Sequence, residues 1–129
     1  MSTYSYLYST AYDPPAPVLD IKVRSTGQKK DVASLTALVD SGADATMIPI
    51  DVLKKIGARY VRTLQMRGIT GLASRVDTYL VIVQIGPHTI YGIRAIAMPA
   101  NSESIIGRDV LNQLVVTLDG LATTTEVAG

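Results

Sequence analysis

The chain has 129 residues, of which 47% are hydrophobic and 18% charged, and its formal net charge is +1. A chain of this length fits one domain, whose core buries roughly two-thirds of the unfolded surface. The absence of cysteine excludes disulfides, cysteine-based zinc sites and a cysteine nucleophile, and a single histidine excludes a multi-histidine metal site. No basic run is longer than Lys29-Lys30, so the charge pattern of a nucleic-acid-binding protein is missing.

The first residues predict an N-terminal arm. Residues 1–17 are rich in serine, threonine and tyrosine and contain three prolines near their end. We expect a flexible or extended arm there, although the alternating tyrosines would also suit a docked strand. The start lacks the basic region and apolar core of a signal peptide, and no apolar stretch approaches the roughly 20 residues of a spanning helix. These features predict a cytoplasmic protein with no membrane partner.

Short apolar runs separated by glycine turns follow from residue 18 onwards. The predicted strands cover residues 18–23, 34–39, 76–85, 89–98 and 115–118, and residues 60–66 alternate weakly. Short helices are predicted at 49–57, where Gly57 stops the helix, and at 107–114. This pattern indicates an all-β barrel or sandwich with little helix. We expect one domain over residues 18–120 and a loose, polar tail over residues 121–129.

The segment Asp40-Ser41-Gly42 stands at the end of an apolar strand. A carboxylate in this place is costly unless something uses it or satisfies it. Gly42 allows a sharp turn and the close approach of another group. The triplet alone is more typical of an ordinary β-turn than of a catalytic site. A Ser-His-Asp site would have to use His88, whose segment Gly86-Pro87-His88 predicts a surface turn between strands.

Three segments together carry a resemblance to a known family. Residues 37–49, ALVDSGADATMIP, closely resemble the active-site segment of retroviral and other retropepsin-like aspartic proteases. Residues 104–113, SIIGRDVLNQ, resemble the family's apolar-apolar-Gly-Arg motif, which opens its single C-terminal helix. Residues 66–71, MRGITG, resemble the glycine-rich tip of its flap hairpin. The segments arrive in the family's order and at similar spacings, and the resemblance covers residues 18–119.

The resemblance implies an all-β fold: a closed acid-protease barrel with one short C-terminal helix, one lobe per chain, used as a C2 homodimer. The chemistry also requires a pair of carboxylates that share a proton, because like charges about 3 Å apart cannot both ionise. The sequence contains one Asp-Ser-Gly, so the second carboxylate must come from Asp40 of a second copy across a two-fold axis. The implied activity is cleavage of a peptide or protein substrate by an activated water, with no metal or cofactor.

The resemblance also assigns roles to individual positions. It gives catalysis to Asp40, Ser41 and Gly42. It places substrate contacts at Ala43, Asp44, Met47, Gly68, Ile69 and Ile105. It makes Gly107 and Arg108 the structural support of the site, with Arg108 paired to Asp44. Two positions depart from the family pattern: Arg67 in the flap, and Asp109, where asparagine is common.

Several alternatives remain open at this point. The Asp44–Arg108 pair could be purely structural, and Met47 and Ile105 could belong to the core instead of to substrate pockets. The whole chain could also be a catalytically silent retropepsin-like dimerisation or peptide-binding module. A third hypothesis is an unrelated small β-barrel in which Asp-Ser-Gly is an ordinary turn.

Overall fold

Strands dominate the protein, whose computed structural model describes residues 3–27, 31–67 and 71–129. The strands in these residues are β1 (Tyr4–Leu7), β2 (Val18–Ser25), β3 (Val32–Val39), β4 (Met47–Pro49), β5 (Arg59–Arg67), β6 (Ala73–Ile85), β7 (His88–Met98), β8 (Ser104–Ile106), β9 (Val115–Asp119) and β10 (Thr124–Ala128). The helices are α1 (Ile50–Lys55) and α2 (Arg108–Leu111).

Six strands close into a barrel. Their order is β2-β3-β8-β4-β7-β6, and β6 pairs back onto β2. Neighbouring strands are antiparallel except for the pairs β3–β8 and β4–β7, which are parallel. The predicted closed all-β barrel is therefore confirmed.

Alternating side chains explain why these segments form barrel strands. In β2, Ile21 and Val23 are buried, whereas Asp20 and Lys22 are exposed. This period of two places one face of the strand in the core and the other in water. The largest fully buried side chains fill the barrel interior and include Leu19, Val23, Ile48, Leu53, Ile56, Val81, Val83, Ile85, Ile106 and Val110.

The 13-residue strand β6 forms part of the barrel and part of a hairpin that extends from it. Residues 81–84 pair with β2 and close the barrel. Residues 73–80 pair with β5 in an antiparallel hairpin, in register from Arg59–Leu80 to Arg67–Ala73 with one bulge near Tyr60. This hairpin carries the segment that the sequence predicts as a flap.

The helix α1 covers one part of the barrel core, as the sequence predicts. Leu53 and Ile56 are fully buried against the strands. The helix ends where Gly57 adopts a φ of 68°, a left-handed conformation that suits glycine. The resemblance implied one short C-terminal helix, and the protein has α1 in addition to α2.

The two chain ends form a separate three-stranded sheet in the order β1-β10-β9. The expectation of a loose tail over residues 121–129 is wrong, because Thr124–Ala128 pairs with strands on both sides. Thr125 and Val127 are fully buried, and Val127 is part of the hydrophobic core. The tail is polar in composition, so the sequence did not indicate a strand. Its β-branched residues Thr125 and Val127 nevertheless stand at alternate positions, which suits a half-buried strand.

The N-terminal arm is extended and docks as a strand. Tyr6 packs against the core, and burial is the main cause that raises the pKa of its phenol. Further along, the Tyr12 hydroxyl donates a hydrogen bond of 2.5 Å to Glu103, which raises the pKa of Tyr12. Among the residues described, no helix is long and apolar enough to cross a membrane.

Candidate active site

The barrel topology places Asp40 at the end of β3, beside β8. Val39 is the last residue of β3 and pairs with Ile106 of the parallel strand β8. The backbone N–H of Asp40 then donates a hydrogen bond of 3.0 Å to the carbonyl oxygen of Ile106. The carboxylate therefore leaves the sheet at a fixed point, and its residue is half-buried.

The turn after Asp40 holds one oxygen of its carboxylate. The N–H of Gly42 donates to Asp40 Oδ1 at 2.9 Å, and the N–H of Ala43 donates to the Asp40 carbonyl oxygen at 3.2 Å. A Cβ atom at Gly42 would lie 3.2 Å from Asp40 Oδ1, so glycine allows this close approach. Within the described part of the chain, Asp40 Oδ2 has no hydrogen-bond partner. The N–H of Gly42 thus orients Oδ1, whereas no group in the described residues holds Oδ2.

Arg108 braces this turn from the start of α2. Its Nη1 donates to the carbonyl oxygen of Ser41 at 2.7 Å, its Nη2 donates to Asp44 Oδ1, and its backbone N–H donates to Ala43 at 2.9 Å. The ion pair with Asp44 is present as expected. The side chains of Arg108 and Asp44 are 43% and 89% exposed, so solvent screens their attraction. The guanidinium therefore orients the loop mainly by bridging the Ser41 carbonyl oxygen and the Asp44 carboxylate, and less by charge attraction.

A second, buried connection joins the loop to α2 through Thr46. Thr46 is fully buried, and its Oγ1 donates to Asp109 Oδ1 at 2.8 Å and accepts from the N–H of Gly107 at 3.2 Å. Its own N–H donates to Asp109 Oδ2 at 3.0 Å, and the N–H of Val110 donates to Asp109 Oδ1 at 2.9 Å. Asp109 is therefore held by Thr46 and the first turn of α2, and not by the Arg108–Asp44 pair.

Sequence reasoning did not identify Thr46 as a residue of this site. A threonine in a loop carries no periodic signal, and its partners lie about 60 positions further along the chain. Its place within residues 37–49, which resemble the family's active-site segment, was the one available clue.

Gly107 stands where the backbones of the two segments touch. A Cβ atom there would lie 2.6 Å from the carbonyl carbon and 2.7 Å from the carbonyl oxygen of Ala45, and 2.9 Å from the carbonyl oxygen of Ala43. These are backbone atoms and cannot move aside as a flexible side chain can. The site therefore needs glycine at this position for close packing.

Met47 and Ile105 pair with each other across β4 and β8. Both are half-buried and lie outside the hydrophobic core cluster, whereas their neighbours Ile48 and Ile106 are fully buried within it. Because side chains alternate along a strand, Met47 and Ile105 face away from the core. The structure therefore does not support the alternative that they are core residues.

The remaining predicted site residues follow β5 in the sequence. Gly68 and Ile69 lie outside the described residues, so their predicted contacts stay predictions. Arg67 is exposed at the last described position of β5, opposite Ala73. Ser41 is also exposed, and its hydroxyl makes no hydrogen bond within the described part of the chain.

His88 does not take part in this arrangement. It lies at the start of β7 after the turn at Gly86 and Pro87, and its Nε2 is buried without a hydrogen-bond partner among the described residues. Its ring lies near Gly129 and so belongs to the region of the terminal sheet. The described residues also contain no group of three acidic or histidine side chains that could hold a metal ion.

Comparisons with known proteins agree with this geometry. A family model described as gag-polyprotein putative aspartyl protease matches residues 26–113. No curated protein matches the chain. The fold is similar to a retropepsin-like aspartic protease from Rickettsia conorii, with a TM-score of 0.61 and 14% identity over 98% of this chain and 90% of that one. It is also similar to EIAV protease in complex with the inhibitor HBY-793, with a TM-score of 0.51 and 22% identity over 84% of this chain and 93% of that one.

The family match spans both the Asp40 loop and the Gly107-Arg108 segment, which the structure brings into contact. The chain belongs to the gag-polyprotein putative aspartyl protease family and has the retropepsin-like fold.

Proposed function

We propose that the protein is an aspartic endopeptidase whose active site forms when two copies bring their Asp40 carboxylates together. The observation that carries this proposal is the state of Asp40. Its residue is half-buried at the end of a barrel strand, Oδ1 is held by Gly42, and Oδ2 has no partner in the described residues.

The two carboxylates divide the work of hydrolysis. Because two adjacent negative charges repel each other, one Asp40 of the pair is ionised and its partner keeps a proton. The ionised carboxylate takes a proton from a bound water as the water attacks the scissile carbonyl carbon. The protonated carboxylate hydrogen-bonds to the carbonyl oxygen and later helps to protonate the leaving amine. No covalent intermediate with the enzyme is formed.

The chain supplies one such carboxylate, so the proposal requires a homodimer. A two-fold axis next to Asp40 would place the same residue of both copies face to face. The exposed Ser41 hydroxyl, which is free within the described residues, would then lie in position to bond the neighbouring loop.

The substrate would bind as an extended strand between the Asp40 loops and the β5–β6 hairpin. An added strand takes its affinity from backbone hydrogen bonds and its specificity from alternate side chains. Gly42 and Asp44 are exposed and accessible for the backbone contacts. Met47 and Ile105 offer an apolar surface, so we expect cleavage next to apolar residues.

Cleavage of a peptide library tests this proposal, with the wild type and Asp40→Asn compared between about pH 4 and pH 7, where a shared-proton carboxylate pair works. We expect the wild type to cut at bonds flanked by apolar residues and Asp40→Asn to cut none. A folded wild-type dimer that cuts no peptide would overturn the proposal and favour a silent peptide-binding module. Equal cutting by both proteins would place the activity elsewhere.

A further inference from the structure

A cavity of about 330 Å³ opens beside the active-site loop. The loop contributes Ala45, which follows Asp44, and the start of α2 contributes Asp109. The opposite walls come from the barrel and from the hairpin, through Ile96 and Arg94 of β7 and Leu64 and Arg62 of β5. The cavity therefore lies between the catalytic loop and the hairpin that the substrate must pass.

The strand register places this cavity on the same sheet face as the proposed apolar subsite. Arg62 is opposite Thr78, Thr78 is opposite Ile96, and Ile96 is opposite Met47. Directly opposed residues project to the same side of a sheet. One face thus runs from Met47 across Ile96 and Thr78 to Arg62. Arg94 lies on this face too, because it is opposite Leu80, two residues after Thr78.

The charge of the cavity is positive and is not balanced inside the chain. Arg62 and Arg94 are exposed, and neither makes a salt bridge within the described part of the protein. The one acidic wall residue, Asp109, already accepts hydrogen bonds at both oxygens, from Thr46 and Val110. Two cations and one anion leave a net charge of +1, with both guanidinium groups available to a ligand.

We propose that this cavity selects an acidic side chain of the substrate. A carboxylate is the natural partner of paired guanidinium groups, because it accepts charge-assisted hydrogen bonds from their N–H forks. Alternate residues of an extended peptide point to the same side. The acidic residue is therefore expected on the same side of the substrate as the apolar residue that contacts Met47, an even number of positions from it. This inference rests on the proposed protease function and adds a substrate class to it.

The test uses one peptide that the wild type cuts, with each position within four residues of the scissile bond changed in turn to Asp, Asn or Lys. At one position we expect kcat/KM to be about tenfold higher for Asp than for Asn, the size of one charge-assisted hydrogen-bonded contact, and lowest for Lys. Arg62→Gln and Arg94→Gln should each bring the Asp-to-Asn ratio close to one, and Arg94→Lys, which keeps the charge and loses the N–H fork, should give an intermediate ratio.

Arg75→Gln is the matched control. Arg75 is an exposed arginine of the same hairpin, but its partner is Gln65 and its side chain lies on the other face from Arg62. We expect this variant to keep the full Asp-to-Asn ratio. If Arg75→Gln lowers the ratio as much as Arg62→Gln does, the preference comes from the general charge of the hairpin and the cavity is not responsible.

Binding measurements separate this inference from the proposed function. The same peptides are bound to Asp40→Asn and followed by fluorescence anisotropy. A wild type that cuts the Asp, Asn and Lys peptides equally well at every position overturns the inference and leaves the protease proposal standing. A protein that cuts nothing but binds the Asp peptide about tenfold more tightly than the Asn peptide through Arg62 and Arg94 overturns the protease proposal and retains the charge selection.

Discussion

Gly107 and Thr46 are the residues at which the catalytic loop meets the start of α2. Gly107 allows the two backbones to touch, and Thr46 fills the remaining space with a hydroxyl that donates and accepts. Neither residue needs to contact substrate. Their effect is to fix where Asp40 stands relative to the barrel, which a catalytic carboxylate requires.

Gly107→Ala tests how tightly the loop is held. The new Cβ would lie 2.6 Å from the backbone of Ala45, so the loop or α2 must shift. We expect the free energy of unfolding to fall by roughly 1–3 kcal/mol, the usual cost of overpacking, with a loss of peptide cleavage. Urea denaturation at one fixed protein concentration measures the first effect, because the stability of a dimer depends on concentration.

Gly120→Ala is the control for this substitution. A Cβ at Gly120 would meet no atom within 4 Å. We expect its free energy of unfolding to stay within about 0.5 kcal/mol of the wild type. If Gly107→Ala and Gly120→Ala had the same free energy of unfolding, the loop would shift at little cost and Gly107 would not position Asp40.

At the residue scale, the sequence indicated Asp40 as the candidate catalytic residue but did not indicate the residues that support it. Asp40 and Gly42 stand in a short local pattern that follows an apolar strand, so their signal is contained in adjacent residues. The contacts of Thr46 depend on a helix that arrives about 60 residues later. The same holds for Arg62 and Arg94, which come together only through the register of three strands.

Among the elements, most barrel strands were predictable, whereas the two three-residue strands were not. Alternating or continuous apolar residues over strands of eight or more residues made four strands predictable, namely β2, β3, β6 and β7. Strands β4 and β8 have three residues each, too few for any period to be recognised. They form because β8 pairs with β3, β4 pairs with β7, and the two short strands pair with each other. These pairings depend on the tertiary structure and leave no local pattern in the sequence.

Val127→Ala tests whether β10 is an integral strand or a loose tail. Val127 is 0% exposed and packs in the core, so removing two methyl groups leaves a cavity. We expect a loss of about 2 kcal/mol in the free energy of unfolding. Val32 of β3, outside the terminal sheet, is 48% exposed, and Val32→Ala should change the stability by less than about 0.5 kcal/mol.

The contrary result would be equally informative about the terminal sheet. If Val127→Ala and Val32→Ala both unfold at the same urea concentration as the wild type, residues 121–129 do not contribute to the folded core. The original expectation of a loose tail would then describe the protein in solution.

Under the proposed function, the whole molecule supplies half of an active site. Its fold supplies one oriented carboxylate, one brace and one hairpin, each of which would be duplicated by a two-fold axis. The terminal sheet carries exposed apolar side chains at Leu7, Val115 and Leu118, and its outer strands β1 and β9 have free edges within the described residues. Such features are typical of a surface that a second copy covers.

Mixing of wild-type and Asp40→Asn chains tests the shared site directly. The two proteins are unfolded together and refolded, so that chains pair at random. With equal amounts, about half of the wild-type chains are expected in mixed dimers, and the activity of a fixed amount of wild type should therefore fall to about one half. A larger excess of the mutant should lower it further. Val32→Ala chains, which keep Asp40 and the terminal sheet, serve as the control and should not lower it. If each chain carried a complete site, the activity would stay constant at every ratio of mutant to wild type, and the proposal of one Asp40 from each subunit would be wrong.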